Sequence, residues 1–152
     1  MKIQRITNPV DFCRLIDDMG VLFEKEDLHS GHRLIKHDPE TIKASFGHVQ
    51  ILNWDLFVWA HETNGKFDSC IMFFNDKNAK FNERIFSEFL WLSKNPKVGY
   101  SLFKTAVQFA RSHNFNYIVM STVAAHEKHE KIKSFYQKMG FLKDSENYIS
   151  KL

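Results

Sequence analysis

At 152 residues, with 43% hydrophobic and 14% aromatic side chains, the sequence is sized for one domain, and its fifteen Phe make the expected core aromatic-rich. Two cysteines exclude a disulfide framework, and no window of about 18 apolar residues exists to span a membrane. The net charge of +3 is uneven: from Lys94 onward there are ten Lys/Arg against four Asp/Glu, and before it eleven against fourteen. The basic C-terminal part suits a polyanionic partner, with a solvated helix surface as the plain alternative.

Lys2 to Thr7 alternates apolar and polar residues and predicts a first strand. Asn8 and Pro9 form a helix start, a capping side chain before a Pro at the first helical position. That helix carries Val10, Phe12, Cys13, Leu15 and Ile16 and ends near Gly20, with Val21 to Phe23 continuing it or packing separately. Glu24 to His37 is polar and reads as irregular, with Gly31 as a breaker. Asp38-Pro39-Glu40-Thr41 starts a short helix through Phe46. His48 to His61 holds two apolar runs, VQILNW and LFVWA. Thr63-Asn64-Gly65-Lys66 is a hairpin turn, Ser69 to Phe74 the returning strand, Asp76 to Asn82 a second turn, and Arg84 to Ser93 the next strand. Turn logic makes these three strands antiparallel.

In that last strand Phe86, Glu88, Leu90 and Leu92 fall on one face, and Ile85, Ser87, Phe89 and Trp91 on the other. KNPKVGYSLFKTAVQF, Lys94 to Phe109, follows as a glycine turn and a helix bearing Leu102, Phe103, Ala106, Val107 and Ala110. A strand, a tight turn and a helix N-terminus offer free backbone N–H groups and a favourable dipole to phosphate oxygens. Asn114 to Val123 is a nearly continuous apolar run, which predicts a strand buried on both faces and parallel to the strand before Lys94, through a right-handed crossover. Two parallel neighbours in a mostly antiparallel sheet can splay and leave a slot for an extended ligand. Ala124 to His129 reads as a loop, and Glu130 to Met139 as a helix ended by Gly140. Phe141 to Asp144 and Asn147 to Lys151 read as strands that finish the sheet.

On two of these stretches the sequence resembles the GNAT family of acyl-CoA-dependent N-acyltransferases. The first signature of that family is a strand, Arg/Gln-x-x-Gly-x-Gly/Ala, and a helix; Lys94 stands at the Arg/Gln position, Lys97 at the first Gly and Gly99 at the second. In the second, HEKIKSFYQKMGF, Phe135, Tyr136, Gly140 and Phe141 match, while His129 replaces the usual Asn and Ile132 the usual Ala. The resemblance covers roughly the last two-thirds of the chain. It implies a single α/β (α+β) domain over 1–152, with a mixed, mostly antiparallel sheet, a splayed parallel strand pair holding the pantetheine arm, and flanking helices.

Acyl transfer to an amine needs the thioester held, its oxygen met by a donor, the amine deprotonated and the thiolate protonated. For holding, the resemblance implies a pyrophosphate cradle from the N–H groups of Val98, Gly99, Tyr100 and Ser101, with charge from Lys94 and Lys97, and with Leu92 and His129 beside the cofactor. Gly99 would let the backbone approach closely; the alternative is an ordinary turn with solvated lysines. Tyr136 matches the general acid of the family, with packing beside Phe135 as its alternative. The family often uses a Glu on the strand before the turn as base, so Glu88 is the first candidate and Glu83 the second. Between Phe86 and Leu90, burial would raise the pKa of Glu88; pairing with a Lys is the alternative. A backbone N–H near Leu90 to Leu92 would meet the oxyanion.

The eight His do not form a metal pattern: His126 and His129 are three apart without the His-Glu-x-x-His arrangement, and His29, His32 and His37 are loosely spaced, so no metal is expected. His126 is a further candidate base near the cofactor mouth. Trp54, Trp59 and Trp91 read as core. The function implied by the resemblance is transfer of an acetyl or other short acyl group from acetyl-CoA to a primary amine by direct attack in a ternary complex. The alternatives are a catalytically weakened binding or structural protein of this fold, and a nucleic-acid-associated protein using the basic C-terminal part. The N-terminal MKIQRITNPVDF lacks the apolar run of a signal peptide, so the cytoplasm is expected. Exposed aromatics would allow a homodimer, and the acceptor amine stays open.

Overall fold

A computed structural model describes residues 2–30, 36–46, 55–77 and 82–152. In chain order its elements are β1 (Ile3–Ile6), α1 (Pro9–Asp18), α2 (Gly20–His29), α3 (Pro39–Phe46), β2 (Leu56–Thr63), β3 (Lys66–Asp76), β4 (Ile85–Leu92), α4 (Pro96–Ser112), β5 (Tyr117–Val119) and α5 (His129–Lys138). The run VQILNW, Gly31, His32 and Trp54 lie outside the described residues.

The strands form one five-stranded sheet in the order β1-β2-β3-β4-β5. The first four are antiparallel to their neighbours, and β4 pairs β5 in parallel. This is the mixed, mostly antiparallel sheet the family resemblance implies, with the antiparallel part predicted by turn logic and the parallel pair by the helix crossover. The β2–β3 turn has both central residues at positive φ, Asn64 at 52° and Gly65 at 79°, the conformation that matches the twist of a two-residue hairpin.

Helices cover both faces. On one, Phe12, Leu15, Ile16 and Met19 of the α1 segment meet Leu56, Val58, Ala60, Cys70 and Met72. On the other, Val98, Leu102, Phe103, Ala106 and Ala110 of α4 meet Phe57, Trp59, Ile71, Phe73 and Phe86. Period-two alternation along β2 and β3 delivers successive residues to opposite cores. The rings of Phe73 and Phe86 stack with centroids 4.2 Å apart.

Strand β4 breaks the alternation. Met72 pairs with Leu90 but Phe73 pairs with Glu88, so Phe89 is one residue too many. A bulge of this kind flips every side chain beyond it. Phe86 therefore packs under α4 while Leu90 and Leu92 join the α1 core, and Trp91 turns back to the α4 side. The expectation that Phe86, Leu90 and Leu92 share a face is corrected by this bulge. A second bulge sits on β3, where His61 pairs with Ser69 and Glu62 with Phe67, leaving Asp68 unpaired.

Four further expectations change. Glu24 to His29, read as irregular, is the second half of α2; its apolar residues share no face, with Phe23 buried but Val21 and Leu28 exposed, so no period marked it. β5 is far shorter than Asn114 to Val123 and is not buried on both faces. It is the sheet edge, and Tyr117 and Val119 are 59% and 41% exposed. The closing strands at Phe141 to Asp144 and Asn147 to Lys151 do not form. Instead the N–H of Phe141 bonds to the Tyr136 carbonyl as part of the α5 C-cap, and the polar run Lys143 to Asn147 holds a Lys143–Glu146 pair. Gly140, at φ 85°, ends α5 as expected.

Candidate functional site

The parallel β4–β5 ladder stops after three pairs, the last being Ser87 with Val119. The bulge at Phe89 lies just beyond, and β4 continues to Leu92 with no further β4–β5 pairs. Glu88 is the first β4 residue past the ladder. Its carboxylate reaches across the gap to Ser121, where Oε2 accepts from the Ser121 N–H at 3.1 Å and from the Ser121 hydroxyl at 2.5 Å. Tyr136, the one buried residue of α5, approaches from the other side, and its hydroxyl donates to the Ser121 carbonyl at 2.8 Å. Glu88 and Tyr136, separate in sequence, thus meet at one residue.

The electrostatics follow from burial. Glu88 is half-buried with its carboxyl enclosed by protein, which pushes its pKa above the ordinary carboxylate range, and the two bonds from Ser121 partly oppose that rise. Burial also pushes the Tyr136 hydroxyl up, and the neighbouring Glu88 charge adds to it, so Tyr136 keeps its proton at neutral pH. The arrangement pairs a carboxylate able to take a proton with a phenol able to give one.

The other candidates divide. Helix α4 begins at Pro96, earlier than the glycine, because Asn95 caps it: its side-chain oxygen accepts from the Val98 N–H at 3.0 Å. The Gly99 N–H bonds to the Asn95 carbonyl at 3.1 Å, and Tyr100 and Ser101 follow inside the helix, where N–H groups bond one turn back. All four N–H groups expected at a phosphate cradle therefore have partners, and Lys97 supplies the remaining donor of the first turn. Gly99 is also required by packing. A Cβ there would lie 2.6 Å from Ser93 Oγ and 3.2 Å from its Cβ, so the glycine lets α4 close onto the end of β4.

Lys94 is engaged elsewhere. Its ammonium lies 2.7 Å from both Asp68 and Thr63, and its N–H bonds to Ser69 Oγ at 2.9 Å. Asp68 also meets His61 at 2.7 Å. Burial alone would raise Asp68, but the bonds from Lys94, Thr63 and His61 outweigh it and lower its pKa to about 2. Lys97 is exposed and makes no ion pair among the described residues. Tyr100 is exposed, with Lys104 over its ring at 5.6 Å. Leu92 turns its side chain into the α1 core. His129 opens α5 and meets Thr122 at 3.2 Å. His126 lies 2.7 Å from Glu26, and Glu83 is exposed ahead of β4. Among the described residues no group of His, Cys, Asp or Glu is placed to hold a metal, and no helix is long and apolar enough to cross a membrane.

Ser121 and Asn95 are the residues that sequence reasoning missed. Ser121 carried one signal: it is the first polar residue after YIVM, at the carboxyl end of a strand in a parallel pair, where open sheets gather their ligands. Asn95-Pro96 repeats the Asn8-Pro9 signal, and both Asn side chains cap in the same way, at 3.0 Å and 2.8 Å.

No protein-family model matches the sequence, and no curated protein matches it. Solved structures do. A predicted acetyltransferase with acetyl-CoA from Clostridium acetobutylicum aligns over 99% of this chain and 95% of its own, at 13% identity and a TM-score of 0.68. A ribosomal-protein-alanine N-acetyltransferase from Brucella melitensis biovar Abortus 2308 aligns over 100% of both chains at 8% identity and a TM-score of 0.67. An aminoglycoside acetyltransferase from an uncultured soil metagenomic sample, in complex with sisomicin, covers 99% of this chain and 95% of its own at 12% identity and a TM-score of 0.65. With a bulged β4, a parallel β4–β5 pair, and full-length similarity to these structures, the chain has the GNAT fold.

Proposed function

We propose that the chain is an N-acyltransferase that moves an acetyl or other short acyl group from acetyl-CoA to a primary amine by direct attack in a ternary complex. The observation that carries this reading is the convergence of Glu88 and Tyr136 on Ser121 just past the end of the β4–β5 ladder. The fold supports it, since solved neighbours are acetyltransferases and one is described with acetyl-CoA. In the reaction the amine nitrogen bonds to the acyl carbon and the carbon–sulfur bond breaks. Glu88 takes the proton released from nitrogen, its raised pKa suiting a base. Tyr136 gives its proton to the departing thiolate. A backbone N–H of β4 between Leu90 and Leu92 serves the oxyanion. Lys97, with the first turn of α4, meets the phosphates once Asn95 yields Val98. Cys13 and Cys70 are free, which fits a reducing cytoplasm.

A second reading, a GNAT fold with weakened catalysis, is favoured by the prior engagement of two of the three expected phosphate contacts: Asn95 caps α4, and Asp68 holds Lys94, leaving Lys97. Calorimetric titration with acetyl-CoA, beside CoA, separates the two. The enzyme reading expects micromolar binding that weakens in Lys97→Glu and survives in Glu88→Gln, while acetyl transfer to an amine panel falls about 10²-fold in Glu88→Gln. No heat at millimolar acetyl-CoA would sink the enzyme reading and leave the binding protein.

A further inference from the structure

Ser121 uses every polar group it has on the two candidate catalytic side chains. Its N–H and hydroxyl both reach Glu88 Oε2, and its carbonyl receives the Tyr136 hydroxyl. We propose that Ser121 is a positioning residue that sets both the orientation and the ionisation of Glu88 and ties that carboxylate to Tyr136. The consequence for catalysis rests on the acyl-transfer reading; the coupling itself does not.

The argument starts from what a carboxylate needs when it leaves water. An enclosed charge is tolerated where hydrogen bonds replace its hydration, and bonds to a charged acceptor are the stronger ones. Glu88 has no Lys, Arg or His in ion-pair range among the described residues. Its antiparallel partner across the bulge is Phe73, which offers nothing polar from its side chain. The titratable group facing it is Tyr136 of α5, whose proton is already directed at the Ser121 carbonyl. Ser121 is thus the donor set that offsets the burial of Glu88.

The geometry also selects an oxygen. Both Ser121 donors go to Oε2, so Oε1 is the one left to accept a proton from an attacking amine. Because Ser121 follows β5 and Tyr136 sits on α5, any shift of this edge reaches both side chains together.

Ser121 is itself exposed, so removing or enlarging its side chain leaves the core untouched. The test is a carbon-13 carboxyl NMR titration of the unliganded protein labelled at Glu, with the Glu88 signal assigned from Glu88→Gln. Ser121→Ala removes one charge-assisted bond, so the Glu88 midpoint is expected to rise by about one pH unit. Ser121→Thr keeps the hydroxyl and is expected to return the midpoint to that of the unsubstituted protein. A midpoint that stays in place in Ser121→Ala, or that Ser121→Thr fails to restore, overturns the proposal whether or not the protein is active. A shifted and restored midpoint in a protein that transfers no acetyl group upholds the coupling and counts against the acyl-transfer reading instead. In an active protein the acidic limb of the kcat/KM profile moves upward with the NMR midpoint in Ser121→Ala and returns in Ser121→Thr.

Discussion

Helix α1 and helix α5 are the same length, ten residues, and make opposite bargains with the sheet. Phe12, Leu15 and Ile16 of α1 are fully enclosed, whereas α5 buries Tyr136 and little else. Past Phe141 the chain is exposed to its end, with Leu142, Tyr148 and Ile149 facing solvent. The candidate site lies on the seam between these regions. Glu88 belongs to a strand held on one side by β3, while Tyr136 and Ser121 belong to the open side. Under the proposed roles, a base on a firm element and an acid on a lightly held one let the second adjust while the first stays registered. Local stability differences of this kind are where ligand-responsive segments are found.

The largest test of the contrast is Phe86→Ala. Phe86 is fully buried, stacks on Phe73, and stands two residues before Glu88. Its truncation is expected to cost about 3–5 kcal/mol in denaturant unfolding. Gly99→Ala comes next. The new Cβ meets Ser93, and overpacking of this type costs roughly 1–3 kcal/mol. If the reason for the glycine is that contact, Ser93→Gly should recover much of the loss in a double-mutant cycle; a purely additive cycle would return Gly99 to the phosphate reading.

A smaller effect is expected at Asp68. Its pKa is depressed from the model-compound value of 3.8 to about 2, so its stabilising contribution is present above the ordinary carboxylate pKa and is lost as pH falls toward 2. Asp68→Asn should flatten the acid side of a thermal-midpoint titration between pH values of about 4 and 2. The smallest effect belongs to the open side. Tyr148→Ala, at an exposed position outside the sheet, should change stability by less than about 0.5 kcal/mol. A larger loss would show that the C-terminal segment contributes to folding more than its exposure suggests.

Much of the sheet was legible because its signals are local. Asn64-Gly65 fixes a hairpin by backbone sterics alone, and Gly140 ends α5 through a positive φ that other residues resist. The Phe135, Tyr136, Gly140 and Phe141 pattern marked α5 through its resemblance to the family signature. Glu88 and Tyr136 could be named singly, but not their meeting at Ser121, because that depends on where the β4–β5 ladder ends. The bulge left no mark either: IFSEFLWL alternates acceptably in either register, and only pairing with β3 selects Phe89 as the extra residue. Asn95-Pro96 carries the same cap signal as Asn8-Pro9, three residues ahead of the glycine that the phosphate reading rests on.

The bulge at Phe89 has a consequence for how β4 tolerates insertions and deletions. Most surface connections absorb a change of one residue with little effect on what they join. In β4, deleting Phe89 would leave the strand continuous and reassign its end: Leu90 and Leu92 would be carried from the α1 core toward α4, and Trp91 from its place beside Phe103 toward α1. For this strand a single-residue change in length is a change in which half of the protein each side chain serves.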